Sequence, residues 1–410
     1  MADTAPVVRP DPVGVATKKP LLGIGMVGYS FMGAAHSQAW RTAPRFFDLP
    51  MTPAMVAVAG RDPAAVHAAA DRLGWARAET DWRALLERPD VHLVDICTPG
   101  DTHAEIAMAA LDAGKHVLCE KPLANTVDEA EAMVAAAARA ASGGVRSMVG
   151  FNYRRVPAIA LAQRFVVEGR LGEIRHVRAQ YLQDWIVDPS FPLVWRLDRA
   201  KAGSGALGDI GAHIIDLAQF VIGQRITGVS GLTETFVTER PLPTATSGLS
   251  AEAGAETGPV TVDDAALFMA RFSGGAIGSF EATRFATGRK NALRLEVNGS
   301  GGSIAFDFEA MNVLEYLDND DDPADTGFRR ILVTEPSHPY AAAWWPPGHG
   351  LGYEHSFTHE VVDLVTSIAA GTDPTPSFAD GLQVQRVLAA VESSANRASE
   401  WVALREGDAA

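Results

Sequence analysis

Short apolar runs alternate with helix-like segments from Leu21 to about Gly150. The segments have readable ends: residues 101–114 begin at an Asp-Thr pair and stop at glycine, and Thr126 and Glu129 have the spacing of a capping box. This alternation is typical of a parallel sheet. The predicted strands are residues 21–27, 55–59, 91–97, 116–119 and 146–149.

After Gly150 the pattern changes to longer alternating runs that are separated by glycines. Residues 173–186 alternate like a long strand, and several β-rich runs between residues 262 and 316 suggest a largely antiparallel sheet. Residues 240–259 are rich in Ala, Gly, Thr and Pro, and we predict a mobile loop there. Helices are predicted at residues 157–169, 207–222, 354–370 and 380–399.

These patterns predict an α/β protein with two domains after a tail. The tail is a disordered Pro-rich segment at residues 1–19, and the first domain covers residues 20–150. The second, at residues 151–410, is an α+β domain with a large, mostly antiparallel open sheet. One face of that sheet needs a cover, and subunit packing is a natural way to supply it. We therefore expect a homodimer or homotetramer.

Composition narrows the class of protein. The 410 residues are 47% hydrophobic and 21% charged, as in an ordinary globular protein, and the net charge of −15 argues against nucleic acid or a membrane as partner. Cys97 and Cys119 each close an apolar run and form no disulfide or metal-binding pattern, so no metal is expected. The N-terminus lacks a signal-peptide pattern and no apolar run is long enough to span a bilayer, so we expect a cytoplasmic location.

A glycine-rich motif near the N-terminus fits two registers. Gly23-Ile-Gly25-Met-Val-Gly28 matches G-x-G-x-x-G, but Pro20 leaves only two residues of strand before it. The first glycine of such a motif makes the turn from strand to helix. The register Gly28-Tyr-Ser30-Phe31-Met32-Gly33 follows the full strand LLGIGMV and precedes a helix. We therefore predict a Rossmann dinucleotide-binding domain, with Ser30 in the middle-glycine position and the helix N-terminus as anion site.

The end of the second strand bears on the choice between NAD and NADP. An acid at this place would hold the adenosine ribose hydroxyls, but Gly60 occupies it. Arg61 could clamp the 2′-phosphate of NADP, whereas Asp62 could hold the ribose of NAD. The sequence leaves both cofactors open.

Two further motifs accompany the Gly28–Gly33 turn. One runs from Thr98-Pro99 to Glu120-Lys121-Pro122 after a strand, and the other is Gly208-Asp209-Ile-Gly-Ala-His213. Together the three motifs resemble the Gfo/Idh/MocA family of sugar and polyol oxidoreductases. The likeness extends from Leu21 to about Ile222 and more loosely through the later sheet, while Ser30 and residues 240–259 depart from the usual pattern.

The resemblance implies that Glu120 holds the nicotinamide ribose and that Lys121 contacts the substrate hydroxyl. Residues just past the carboxyl end of a parallel strand face the ligand crevice, which supports this placement. The Lys121–Pro122 bond is also a candidate cis peptide. The resemblance further makes Asp209 and His213 catalytic, with Asp209 orienting His213 from one face of a helix. The alternative is a helix cap with a solvated acid and a satisfied histidine.

Further residues complete the candidate site. By resemblance, Trp195 and Arg196 lie over the nicotinamide end; the alternative is a buried aromatic residue beside a surface arginine. His103 either approaches the cofactor or caps structure near Thr98. The candidate cofactor-binding residues are Gly28, Ser30, Phe31, Met32, Arg61, Asp62, Thr98, Pro99, His103, Glu120, Lys121, Trp195 and Arg196.

The substrate-binding set follows from position. Residues 152–154 come after the last strand of the first domain and are expected to line the cleft. His349 belongs to an aromatic and histidine cluster that either stacks on a sugar or anchors a loop. The candidate substrate-binding residues are Lys121, Asn152, Tyr153, Arg154, Asp209, His213 and His349.

The expected reaction is reversible NAD(P)-dependent oxidation of a secondary alcohol on a sugar, glycoside, anhydrosugar or cyclic polyol. A cationic Lys121 stabilises charge on the carbinol oxygen and His213 accepts the hydroxyl proton, although Lys121 is the alternative acceptor. Two other functions stay open: a glycosidase that uses transient oxidation by bound NAD, and a non-catalytic sugar sensor that keeps the dinucleotide fold.

Overall fold

A computed structural model of the protein describes residues 19–247 and 250–404. The first part is a six-stranded parallel sheet with strand order β3-β2-β1-β4-β5-β6. All five strands predicted there are confirmed, and the two-residue β3 is additional. The predicted tail lies outside the described residues except for Lys19. The elements are β1 Leu21–Val27, α1 Phe31–Phe46, β2 Thr52–Ala59, α2 Pro63–Leu73, β3 Ala78–Glu79, α3 Arg83–Glu87, β4 Leu93–Ile96, α4 His103–Asp112, β5 His116–Cys119, α5 Val127–Ala141 and β6 Ser147–Val149.

Helices cover both faces of this sheet. Side chains of α1 and α2, such as Trp40 and Val66, share one core with Ile24 of β1. Residues of α4 and α5, including Ile106 and Met133, belong to the core on the other face. The capping box at the start of α5 is confirmed, since Thr126 accepts from the Glu129 backbone N–H and Glu129 accepts from the Thr126 backbone N–H. The result is a doubly wound sheet whose strands all end at one edge.

The second part is built around a nine-stranded sheet with strand order β16-β15-β14-β13-β7-β12-β11-β8-β17. Within the described ranges β7 and β12 pair in parallel, and the other neighbours pair antiparallel, as predicted for most of this sheet. The elements are α6 Pro157–Val167, β7 Ile174–Leu182, α7 Arg199–Ala202, α8 Ala212–Ile222, β8 Ile226–Glu234, β9 Glu239–Ser247, β10 Ser250–Pro259, β11 Ala265–Phe272, β12 Ile277–Thr283, β13 Ala292–Gly299, β14 Gly302–Asp307, β15 Val313–Asp318, β16 Arg329–Leu332, α9 Tyr353–Ala370, α10 Phe378–Ala395 and β17 Val402–Ala403.

Helices α6, α8 and α10 pack on one face of the large sheet. The segment Arg199–Ile222 is long and apolar enough to cross a membrane, but 83% of its apolar window is buried inside the protein. It is therefore a core segment. The other face of the sheet carries exposed apolar side chains, among them Leu232, Leu267 and Met269.

The C-terminal helices return to the first sheet. Helix α9 packs against α1, and its Phe357 and Val361 lie in the same core as Ile24. Helix α10 packs against α5 and β8. The two helices between β16 and β17 therefore complete the covering of the first sheet.

The prediction of a mobile loop at residues 240–259 is wrong. Strands β9 and β10 pair antiparallel there, with two irregularities in register. The side chain of Arg240 is fully buried at the base of this hairpin, where it donates to the carbonyl oxygens of Ile186, Asp188 and Phe191. Backbone pairing needs no apolar alternation, so the Ala, Gly, Thr and Pro composition concealed the strands.

Candidate active site

The glycine turn lies in the register Gly28–Gly33. Gly28 has φ +95°, and a Cβ there would lie 2.8 Å from the Cys97 carbonyl oxygen. A Cβ on Gly33 would lie 2.3 Å from the Gly28 carbonyl oxygen, so only glycine lets α1 start this close to β1. Gly23 and Gly25 lie inside β1, as the choice of register requires. Ser30 is the N-cap of α1, and Phe31 and Met32 open the helix.

This turn fits a dinucleotide. The N-terminus of the 16-residue α1 points out of a turn with no side chain at Gly28 or Gly33, which leaves backbone N–H groups for an anion. Thr98 and Pro99 follow the neighbouring strand β4 at the same edge of the sheet. The Thr98 methyl lies 3.2 Å from the position of a Cβ on Gly28. The turn therefore offers the backbone donors that a pyrophosphate requires.

The end of β2 shows why Gly60 carries no side chain. A Cβ at this position would lie 2.0 Å from Cε1 of Tyr29, so the Tyr29 ring occupies the space where an acid would extend. Asp62 is the N-cap of α2 and accepts from the Ala65 backbone N–H at 2.9 Å. Arg61 and Asp62 are both exposed. The Arg61 guanidinium and the Asp62 carboxylate thus both lie at this end of the cleft.

Lys121 follows β5 and links the first sheet to the turn that precedes α8. Its peptide bond with Pro122 is cis, as predicted. Its Nζ donates to the backbone oxygen of Asp209 at 2.7 Å and to Asp209 Oδ1 at 3.3 Å. Only 14% of the Lys121 side chain is exposed. The ammonium group is therefore fixed beside Asp209 at the carboxyl edge of the first sheet.

Three cations surround the Asp209 carboxylate. Burial acts to raise its pKa, but the positive charges of Lys121, Arg196 and Arg284 outweigh burial and hold the pKa well below its usual range. Asp209 lies in a π-helical turn, Leu207–Gly211, that precedes α8. It is therefore ionised at physiological pH, and it serves this site as an anchor for cations.

Arg284 is a functional candidate that the sequence analysis missed. It follows β12 and is fully buried, with Nη1 3.7 Å from Asp209 Oδ2 and Nη2 donating to the Asp263 carbonyl oxygen at 3.1 Å. Its Nε and Nη1 have no hydrogen-bond partner in the described part of the chain. The guanidinium carbon also lies 5.7 Å from the Trp185 ring centroid. The available signal was an arginine within one of the β-rich runs that were predicted between residues 262 and 316.

His213 lies on α8 in an aromatic environment, with its ring centroid 4.6 Å from that of Tyr153. Burial lowers the pKa of His213 well below the ordinary 6.5, and the Lys121 charge adds to this effect. Its Nδ1 has no hydrogen-bond partner among the described residues. The imidazole is therefore neutral and has a nitrogen free to accept a proton.

The expectation that Asp209 orients His213 is wrong in its details. In the described part of the chain Asp209 forms its side-chain hydrogen bond with Lys121 and not with His213. The reason is electrostatic: the ionised carboxylate is attracted to three cations, whereas His213 is neutral. Asp216, one turn further along α8, pairs with Arg154.

Residues 152–154 separate into different roles. Arg154 Nε donates to Asp216 Oδ2 at 2.8 Å, and both side chains are buried, so Arg154 is committed to an internal ion pair rather than to substrate. The Asn152 amide donates to Ser356 Oγ at 2.8 Å. Tyr153 packs on His213, and its hydroxyl lies 2.7 Å from that of Tyr181. Of the three, Tyr153 is the one that the structure places beside the candidate catalytic group.

His103 and the Trp195–Arg196 pair flank this centre. The His103 ring nitrogens lie 2.9 Å from the carbonyl oxygens of Pro122 and Thr98, so His103 links the two loops that follow β4 and β5. This contact pattern favours the structural alternative. The Arg196 guanidinium stacks on the Trp195 ring at 4.4 Å, and its charge acts on Asp209.

His349 lies apart from the other candidates. It is exposed, and its Nδ1 lies 2.9 Å from the Pro346 carbonyl oxygen. The neighbouring Trp344 and Trp345 pack on Phe46 at the end of α1. These contacts favour the loop-anchor alternative for the aromatic and histidine cluster, because no described contact joins His349 to Lys121 or His213.

Comparisons with known proteins cover both parts of the chain. Residues 22–151 match the model described as "Oxidoreductase family, NAD-binding Rossmann fold", and residues 159–305 match the "GFO/IDH/MocA C-terminal domain". Levoglucosan dehydrogenase of Pseudarthrobacter phenanthrenivorans is 44% identical over 93% of this chain and 97% of that protein.

Two solved structures are similar throughout. An oxidoreductase domain protein from Kribbella flavida has a TM-score of 0.90 and 70% identity, and the match covers 94% of this chain and 100% of that one. A levoglucosan dehydrogenase in complex with NADH and levoglucosan has a TM-score of 0.88 and 42% identity, with the same two coverages.

Proposed function

The chain belongs to the Gfo/Idh/MocA family of NAD-binding oxidoreductases, and on that premise we propose that it oxidises a secondary alcohol of an anhydrosugar of the levoglucosan type. The observation that carries the proposal is the group formed by Lys121, Asp209 and neutral His213, which lies at the same edge of the parallel sheet as the Gly28–Gly33 turn. It combines a cation for the carbinol oxygen, an anchor for that cation and a proton acceptor. An NAD-dependent alcohol oxidation requires these functions.

The chain's own residues supply the proton chemistry. When bound, the nicotinamide ring would supply the acceptor for the hydride of the carbinol carbon. Lys121, held by Asp209, donates a hydrogen bond to the carbinol oxygen and stabilises the negative charge that develops there. The hydroxyl proton passes to His213, because its lowered pKa keeps a ring nitrogen unprotonated at neutral pH. The carbinol C–H and O–H bonds break as the carbonyl forms.

The cofactor is held by the turn and by the end of β5 in this proposal. The α1 N-terminus binds the pyrophosphate and Glu120 binds the nicotinamide ribose. We further propose NAD over NADP, since a similar levoglucosan dehydrogenase forms a complex with NADH and Asp62 at the end of β2 offers a carboxylate for the ribose hydroxyls. Tyr29 over Gly60 supports the same choice, because it fills part of the space on this side of the cleft.

A panel of sugars and polyols tests the function. Levoglucosan, other anhydrosugars, inositols and open-chain polyols are assayed for absorbance of the reduced cofactor, with NAD and NADP in parallel. We expect reduction of NAD with levoglucosan at a higher kcat/KM than with the other compounds. A higher kcat/KM on an inositol would contradict levoglucosan as the substrate, and a preference for NADP would contradict NAD as the cofactor.

The same panel separates the alternative functions. A glycosidase with transient oxidation would release an aglycone from glycosides without net cofactor reduction. A sensor would bind NADH without turnover on any compound. The retained Lys121, Asp209 and His213 argue against a sensor, which has no need of proton-transfer groups.

We also propose that the protein is a homodimer or homotetramer, and that it works in the cytoplasm. The open face of the large sheet supports the assembly. Leu232 and Leu267 are paired on neighbouring strands, and Met269 follows on the same face; all three are more than two-fifths exposed. Such a patch is typical of a surface that another subunit covers.

A further inference from the structure

A chain of buried charged groups lies beneath Glu120. His36 of α1 stands between Asp95 of β4 and Glu120 at the end of β5. Its Nδ1 lies 2.9 Å from Asp95 Oδ1, and its Nε2 lies 2.9 Å from Glu120 Oε1. The three residues are between 0% and 4% exposed. Burying a histidine between two carboxylates costs free energy, so the arrangement requires an explanation.

The partners of Asp95 indicate where the proton is. Trp40 Nε1 donates to Asp95 Oδ2 at 2.7 Å, and the Cys97 thiol donates to Oδ1 at 3.5 Å. Asp95 thus accepts on both oxygens, which is the pattern of an ionised carboxylate. Burial acts to lower the pKa of His36, but the adjoining Asp95 outweighs it and raises the pKa well above its ordinary value. An imidazolium can then donate to both carboxylates.

Other titratable groups face His36 without replacing this charge. Cys97 follows β4, and burial raises its pKa, so the thiol stays neutral. From α9, burial raises the pKa of Tyr353 above its ordinary value and that of Glu360 to about 8. Both are therefore largely protonated at and below neutral pH. Glu120 is the carboxylate that His36 contacts on the side of the cofactor cleft.

Glu120 is fixed at both oxygens. Oε1 faces His36, and Oε2 accepts from the Lys121 backbone N–H at 3.0 Å. The Glu120 side chain therefore couples the orientation of its own carboxylate to the position of the Lys121 backbone.

We propose that His36 is a positioning residue whose imidazolium, held by Asp95, fixes the orientation of the Glu120 carboxylate for the ribose hydroxyls of the cofactor. This inference rests on the proposed function, because it takes Glu120 as the ligand of the nicotinamide ribose. A carboxylate accepts hydrogen bonds from two hydroxyls, whereas a protonated or rotated carboxyl does so less well. The chain from Asp95 thus acts on cofactor affinity through Glu120.

The test is a double-mutant cycle on NADH binding, measured by fluorescence titration of His36→Gln, Glu120→Gln and the double variant. We expect His36→Gln to weaken NADH binding about tenfold, since one partner of a buried charged hydrogen bond is lost. In the Glu120→Gln background the same change is expected to have an effect below about twofold. Ser37→Ala is the matched control: Ser37 is equally buried on α1 and bonds to the Gly33 carbonyl oxygen, but has no described contact with Glu120.

A pH series adds a readout that a purely structural role would not change. Between about pH 5.5 and 7 the wild type and Ser37→Ala are expected to bind NADH with constant affinity. His36→Gln is expected to lose affinity as the pH falls, because a buried carboxylate that has lost a contacting cation takes up a proton more readily, although the charge of Arg196 still acts on Glu120. Glu360 stays protonated in this range, so it does not contribute.

The outcomes are distinct. Equal effects of His36→Gln in both backgrounds, or a flat pH series in that variant, would overturn the inference while wild-type turnover still supports the function. If His36→Gln does not fold, Asp95→Asn replaces it in the cycle and is expected to show the same coupling to Glu120. A wild type that binds neither NADH nor NAD would instead overturn the proposed function.

Discussion

Charge around a single carboxylate determines what each residue of the site can do. Lys121, Arg196 and Arg284 keep Asp209 ionised, and Asp209 in turn holds the Lys121 ammonium in place. The Lys121 charge also helps burial to keep His213 neutral. The site therefore has a cation to stabilise the carbinol oxygen and a separate neutral base, as the proposed oxidation requires.

The pH dependence of turnover follows from His213. It accepts a proton only when it is neutral, and burial with the Lys121 charge lowers its pKa well below 6.5. Oxidation should thus keep its kcat/KM as the pH is lowered from about 8 to about 6.5, and lose it only at lower pH as the imidazole becomes protonated. The measurement is a pH profile of kcat/KM with saturating NAD. An acid limb with its midpoint at or above pH 6.5 would contradict this role.

Arg284 gives a second residue-scale prediction. Replacing it with Gln removes a cation beside Asp209 and the two unpartnered donors, so we expect kcat/KM to fall about tenfold or more while NADH affinity is kept. Arg289→Gln is the matched control, since Arg289 lies in the following loop and pairs with Glu309 at the surface. The same loss in both variants would argue against a role for Arg284 in the site.

These residues also show which features of the site the sequence predicts. Lys121, Asp209 and His213 were identified from motifs, and the structure brings Lys121 to Asp209. The spacing of Asp209 and His213 suggested that these two interact, but Asp209 pairs with Lys121, which is distant from it in sequence, and the charges of Arg196 and Arg284 act on it as well. Helix spacing specifies a shared face and not which partner a carboxylate selects.

At the scale of elements, the turn from β1 to α1 is the most demanding feature. Gly33→Ala would place a Cβ 2.3 Å from the Gly28 carbonyl oxygen and push α1 away from the strand. We expect the free energy of unfolding to fall by about 2 kcal/mol. The affinity for NADH is expected to fall by a larger fraction of its wild-type value. Chemical denaturation and NADH titration measure the two effects.

Gly143→Ala is the control for this change. It follows α5, and its added Cβ would lie an ordinary 3.4 Å from the Ala140 carbonyl oxygen. It should leave both stability and NADH binding close to those of the wild type. If Gly33→Ala binds NADH as well as Gly143→Ala does, the turn does not carry the pyrophosphate.

Elements differ in how well their sequence predicts them. The register of the glycine turn could be chosen correctly because a strand must precede it. The β9–β10 hairpin was missed because Ala, Gly, Thr and Pro hide the pairing, and its buried anchor, Arg240, binds carbonyl groups that only the folded chain brings together. The π-helical turn Leu207–Gly211 was read as part of one continuous helix, since a single added residue per turn leaves no mark on the apolar pattern.

At the scale of the whole molecule, two sheets and their helices form one continuous unit. Lys121 comes from the first sheet, whereas Asp209 and His213 come from the segment that packs on the second. The C-terminal helix α9 packs on α1 and contributes Glu360 near His36. The site therefore depends on the relative placement of both sheets, which no local pattern in the sequence specifies.

The open sheet face gives the prediction for assembly. Met269→Glu places a charge in the apolar patch with Leu232 and Leu267, so we expect a smaller assembly with NADH binding retained. Size-exclusion chromatography with light scattering gives the mass. Val167→Glu is the control, because Val167 is 72% exposed at the end of α6, on the covered side of the sheet. A monomeric wild type, or an unchanged mass for Met269→Glu, would contradict assembly through this face.

The most direct measurement follows the hydrogen of the substrate. Levoglucosan that is deuterated on its ring carbons is incubated with NAD and the wild-type protein, and the reduced cofactor is analysed by mass spectrometry. The account predicts that the reduced cofactor carries a single deuterium from the sugar, and that Lys121→Met still binds NADH but forms this product far more slowly. Reduced cofactor without deuterium, or sugar cleavage without any reduced cofactor, would contradict it.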